Sequence, residues 1–241
     1  LYLLMLGIII GIIELFIFFG VSYFIREKKL QLKKMDPITY YWLMMTILTF
    51  IWEISFILTY DKVVLTSYEL LINKEHVWVI DYNLSYILPW KTAEIFYAEY
   101  GVYADREYML LENDWSRVIE GTHAVFCGFF SLLAIILQGK ARIVQETHVV
   151  EYEFVGGGER RKILGNKRFL ITKNIAMGAQ LMNSILYMAN YFNQIHESQN
   201  VNYNTKEFPT GTALSKRPFM YVNIFWTFMP LYTILKSLYD I

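Results

Sequence analysis

The chain has 241 residues, of which 55% are hydrophobic and 17% aromatic, and its formal net charge is zero. A soluble domain of this size forms one core and rarely carries so many long apolar runs. The absent net charge removes any electrostatic case for a nucleic-acid partner.

About 20 residues of helix cross the hydrocarbon layer. Five segments reach that length: residues 1–25, 38–58, 115–137, 169–191 and 219–239. The fold expected is an all-α integral membrane protein, a five-transmembrane-helix bundle with short extramembrane insertions, forming one domain over residues 1–241. The chain begins with Leu rather than Met, as for a processed or incomplete start, and the opening segment is too long for a signal-peptide core and counts as a span. The loops after the first and third spans carry twelve Lys and Arg, from Arg26 to Lys34 and from Lys140 to Arg168, against seven in the other two loops. The positive-inside rule places the basic loops on the cytoplasmic or matrix-like side, with the N-terminus opposite.

Two insertions exceed what a bundle needs. Residues 62–114 hold the apolar patch Val77–Ile80 and an amphipathic run from Trp90 to Tyr108, which predict short interfacial helices. In residues 139–168, the alternation of Arg142–Phe154 and the Gly156-Gly157-Gly158 turn predict a small hairpin. Cys127 is the only cysteine, so no intrachain disulfide forms. With no CxxC or HExxH and four scattered histidines, neither a metal nor another cofactor is expected.

Glu53 and Glu120 lie inside predicted spans, where a charge is costly and tends to mark a task. Glu53 lies five residues from the end of the second span, Glu120 five residues into the third and Asn223 four into the fifth. At 1.5 Å per residue each sits roughly 6–8 Å below one interface. Tyr187 falls at similar depth on the fourth span. His123 follows Glu120 by three residues and Asn183 precedes Tyr187 by four, spacings that share a helix face, with Gln180 one turn deeper. Trp226, three after Asn223, presents an indole on the same face. Two carboxyl groups and an indole suit proton transfer on an apolar alkene: one group donates a proton, another removes one, and the indole stabilises the cation between them. Structural explanations compete. Arg117 could pair with Glu120, Glu53 could join helices by hydrogen bonding, and Asn223, His123 and Trp226 could be packing residues. Glu14, midway along the first span, has no partner evident in the sequence, and Lys173 is expected to snorkel to the basic end.

At these residues the chain resembles the emopamil-binding protein family, also called EXPERA proteins, whose enzymatic members are delta-8/delta-7 sterol isomerases. Ile119–Ile135, IEGTHAVFCGFFSLLAI, is similar to the family's E-G-x-T-A-x(3)-G-x(2)-S-L segment. Ala98-Glu99-Tyr100 with Asp105-Arg106-Glu107-Tyr108 resembles its K-E-Y…D-S-R-Y loop, and Gln180–Tyr187 its Q-x-Y-G-x-x-x-Y run. Val222–Pro230, VNIFWTFMP, matches N-x-x-W-x-x-x-P. The resemblance covers roughly residues 40–60 and 95–239 and implies five spans in the endoplasmic reticulum. It also implies a sterol surrounded by Glu53, Glu120, Asn223 and Trp226, the first three supporting proton transfer without a cofactor. His123, Tyr187, Gln180, Asn183 and Thr49 are candidate substrate-binding residues.

The chain departs from the pattern at three of these positions. Thr49 stands where the family has a histidine, His123 where it has threonine, and Asn183 where it has glycine. These departures and the insertions favour an alternative, a catalytically silent member. It would be a lipid-binding protein, or an accessory subunit of a large membrane complex such as a respiratory complex of the mitochondrial inner membrane. The expected partners are a membrane lipid or sterol, with a homodimer or a larger complex as the assembly. A transporter or channel fits poorly, because the polar groups gather near one side rather than crossing the bilayer.

Overall fold

A computed structural model of the chain describes residues 4–104, 114–140, 167–194 and 218–239. The elements in order are strand β1 (Leu4–Leu6), α1 (Gly7–Lys28), α2 (Leu30–Lys33), α3 (Pro37–Leu58), α4 (Tyr60–Asn73), strand β2 (Asp81–Asn83), α5 (Pro89–Tyr103), α6 (Asp114–Lys140), α7 (Lys167–Gln194) and α8 (Pro218–Tyr239). The described residues are thus predominantly helical. Among them α1, α3 and the Glu120–Lys140 part of α6 are long and apolar enough to cross a membrane.

Helix α3 is the hub. It starts sharply because Pro37 presets the first turn and the Asp36 carboxylate accepts from Thr39 N at 2.8 Å. It packs on α6, which packs on α7, which packs on α8. The ring closes where the Trp42 indole meets Trp226 edge-on, centroids 4.5 Å apart. Close approach of α3 and α6 depends on small residues. A Cβ on Gly128 would lie 2.2 Å from Phe50 Cβ, and one on Gly121 would lie 1.8 Å from Ile57 Cδ1. Leu32, Met35, Tyr40, Leu43, Ala134, Phe169 and Met177 are among the buried residues of the core at the basic end.

Helix α1 lies outside this ring and turns most of its apolar surface outward; Phe16 is 78% exposed. Two polar contacts tie it to α3: Tyr40 Oη donates to Ser22 O at 2.7 Å, and Trp52 Nε1 donates to Glu14 Oε1 at 2.8 Å. Glu14 therefore has a partner that the sequence did not reveal. Lys173 also departs from expectation. It is buried rather than snorkelling, with its ammonium over the Phe169 ring and 3.3 Å from Thr233 O.

The start of the first predicted span is strand rather than helix, because Leu4–Leu6 pair antiparallel with Asp81–Asn83. An apolar run without polar punctuation fits helix and buried strand alike, and a distant partner decides between them. The 62–114 insertion contains most of α4, all of α5 and β2, with 3₁₀ turns at Val77–Val79 and Leu84–Ile87. Glu99 pins the first turn: Oε2 accepts from Val77 N at 3.0 Å, and Oε1 contacts His76 Nδ1 at 2.6 Å. The hairpin expected within 139–168 lies outside the described residues beyond Lys140, as does the Asp105–Tyr108 part of the loop motif.

Candidate functional site: a polar hollow under helix α5

Thr49, Glu53, Glu120, His123, Gln180, Asn183, Tyr187, Asn223 and Trp226 all line one hollow of about 140 Å³ among α3, α5, α6, α7 and α8. The convergence follows from helix spacing. Thr49 and Glu53 are one turn apart on α3, Glu120 and His123 on α6, and Gln180, Asn183 and Tyr187 on α7.

The two carboxyl groups have different surroundings. Glu53 Oε1 accepts from Tyr97 Oη at 2.5 Å, while its Oε2 is buried without a hydrogen-bond partner among the described residues. Glu120 Oε2 accepts from Asn183 Nδ2 at 3.1 Å. The same amide nitrogen is 3.3 Å from His123 Nδ1, and His123 Nε2 is buried with no partner among the described residues. Two of the departures from the family pattern, Asn183 and His123, therefore touch each other beside Glu120. Thr49, the third, turns its hydroxyl to Thr46 O of its own helix at 3.1 Å. The Arg117 side chain, the other candidate partner for Glu120, lies outside the described side chains.

Below this layer the wall is fixed by direct bonds. Trp42 Nε1 donates to Gln180 Oε1 at 2.9 Å, and Ser184 Oγ donates to Trp226 O at 3.2 Å. The Trp226 ring is held edge-on by Trp42, and Asn223 precedes it by one turn on the hollow's rim.

Helix α5 supplies the side that sequence reasoning missed. Successive turns meet different helices: Thr92 lies beside Glu14 of α1, Phe96 stacks on Trp52 of α3 at 5.2 Å, and Tyr97 reaches Glu53. Phe96, Tyr97 and Tyr100 all line the hollow. Burial, with the Glu53 carboxyl beside it, holds the Tyr97 phenol well above its usual range, so its O–H remains a donor. The amphipathic pattern of 90–108 signalled a helix. Nothing in it signalled that the polar tip of Tyr97 would meet a carboxyl group of α3.

Chemically, the hollow offers two carboxyl groups, an imidazole, two indoles and three amides beside apolar side chains. That set can exchange protons with a bound apolar molecule or hold its polar end. Among the described residues no group of three His, Cys, Asp or Glu side chains is arranged to hold a metal ion. Comparison with protein-family models, with curated proteins and with solved structures finds no match.

Proposed function

We propose that this chain is a sterol-isomerase-like membrane protein of five spans, with α7 and α8 crossing beside the three apolar helices, and that its hollow takes the ring system of a sterol-like lipid. What carries the reading is the meeting of Glu53, Glu120 and Trp226 from three helices at one lipophilic hollow. In the proposed reaction one carboxyl group protonates a ring alkene carbon, and the adjacent carbon becomes cationic under the indole face. The second carboxyl group, ionised, removes a proton from the next carbon, and the double bond re-forms one position along. The proton count is unchanged, so no cofactor takes part. Tyr97 holds Glu53, and Asn183 holds Glu120 and His123, so that both acids keep fixed positions. His123 stands in for the histidine that Thr49 replaces.

The test is conversion of a delta-8 sterol in a strain lacking its own isomerase. Wild type restores the product, and Glu53→Gln and Glu120→Gln each abolish it. Unchanged turnover in both variants, or none in wild type, ends the isomerase reading.

One observation favours a second reading. At about 140 Å³ the hollow is smaller than the roughly 300–1,000 Å³ usual for small-molecule sites, and the aromatic residues of α5 close one side. A silent member serving as an accessory subunit needs no ligand space in the hollow, whereas one that binds a lipid would hold it with the hollow opened or at its mouth. Under that reading wild type restores no product, and purification in mild detergent yields either a bound lipid or a larger complex.

A further inference from the structure

The end of the bundle opposite the hollow gathers positive charge that no carboxylate among the described residues pairs. After α1 the chain does not trail off but folds back as α2, whose Leu32 is buried together with Met35 in the core. Arg26 fixes this fold-back: its Nη2 donates to Lys33 O at 3.0 Å and to Met35 O at 3.2 Å. Helix α2 is also tied to α6, since Gln138 Nε2 donates to Gln31 O at 3.0 Å and Gly139 faces Leu32. Phe169, at the start of α7, joins the same core cluster. Three chain segments therefore converge here.

They bring together Lys28, Lys29, Lys34, Lys140, Lys167 and Arg168, all exposed. The two carboxylates described at this end are engaged elsewhere. Glu27 accepts from Lys33 at 2.6 Å, and Asp36 caps α3 while facing Tyr232 Oη at 3.4 Å. Six cations thus stand on segments that pack together, and none has a carboxylate partner among the described residues. Beside them Phe24, Ile25 and Leu30 are exposed. Apolar side chains next to cations at the ends of membrane-spanning helices match the boundary between acyl chains and headgroups.

We infer that this platform binds the headgroups of anionic phospholipids in the adjoining leaflet. The inference uses the membrane setting and is independent of any activity in the hollow. Like charges gathered on one face repel, and phosphate diesters at the membrane surface are the counter-charge placed to relieve that repulsion. The exposed Leu30, set among the lysines, enters the acyl layer beneath those headgroups.

The test is electron paramagnetic resonance of spin-labelled lipids with the purified full chain reconstituted in phosphatidylcholine membranes. The readout is the association of labelled phosphatidylglycerol relative to labelled phosphatidylcholine. Wild type is expected to prefer phosphatidylglycerol several-fold. The preference should fall to near one in the combined Lys28→Gln, Lys29→Gln, Lys34→Gln and Lys140→Gln variant. It should persist in a Lys62→Gln and Lys74→Gln control, which removes charge from the other end. Raising salt to about 1 M, where screening acts over ~3 Å, should also erase it in wild type, a readout that needs no variant to fold. Equal association of the two lipids with wild type, a preference insensitive to salt, or its retention in the quadruple variant overturns the proposal.

Discussion

Single side chains decide how the buried carboxyl groups are held. Glu14 sits in an apolar helix, and its bond from Trp52 Nε1 joins α1 to α3. Glu14→Leu leaves that indole N–H buried without an acceptor, at a cost of about 1–3 kcal/mol. Glu14→Gln keeps an acceptor and should cost less. Thermal unfolding of the detergent-solubilised protein should therefore rank wild type, Gln and Leu in descending stability. Equal midpoints for Gln and Leu would show that the hydrogen bond contributes nothing. Tyr97→Phe is the matching change in the hollow. It removes the donor to Glu53 Oε1 while keeping the ring on Phe56. The carboxyl infrared band assigned by its loss in Glu53→Gln should shift in Tyr97→Phe, and an unmoved band would contradict the contact. At this scale the sequence was informative about the acids and mute about their partners. Depth along a predicted helix placed Glu53, Glu120 and Asn223 in one layer, since helical rise is regular. The Trp52–Glu14 bond spans 38 residues and the Tyr97–Glu53 bond 44, and no local pattern encodes either.

Between helices, the approach of α3 to α6 rests on two glycines of unequal importance. An alanine at position 128 would drive its Cβ against Phe50 Cβ, an atom fixed to the α3 backbone. At position 121 the obstacle is the tip of Ile57, which can rotate away. Gly128→Ala is therefore expected to destabilise by about 1–3 kcal/mol and Gly121→Ala by less, as read from unfolding midpoints. The reverse order would mean that the two helices are farther apart than described. The long helices were legible because apolar length is a local property: α3 and α8 match the predicted spans to within a residue at each end. The strand at Leu4–Leu6 was not, because its identity comes from Asp81–Asn83 far along the chain. Helix α5 was legible as a helix only. Its course over α1, α3 and the hollow depends on which neighbours it meets in space.

At the scale of the molecule, three helices among the described residues are long and apolar enough to cross a membrane, and the polar side chains of the hollow face away from it. Phe16 faces outward from the middle of α1, while Leu58, 80% exposed, ends α3. Phe16→Lys should raise the apparent insertion cost of that helix by roughly 2.5–3.5 kcal/mol, and Leu58→Lys should cost less because it lies at a helix end. A translocon insertion assay with glycosylation reporters separates the two, and equal costs would contradict the depth assigned to Phe16. The central claim is that acidic groups from separate helices meet in one hollow that a lipid can enter. Photo-crosslinking of the purified protein with a diazirine-bearing sterol, followed by peptide mapping, tests it most directly. The account predicts adducts around Thr49, Asn183 and Trp226 that excess unlabelled sterol suppresses. Adducts confined to outward positions such as Phe16 and Phe228, unaffected by competitor, would contradict it.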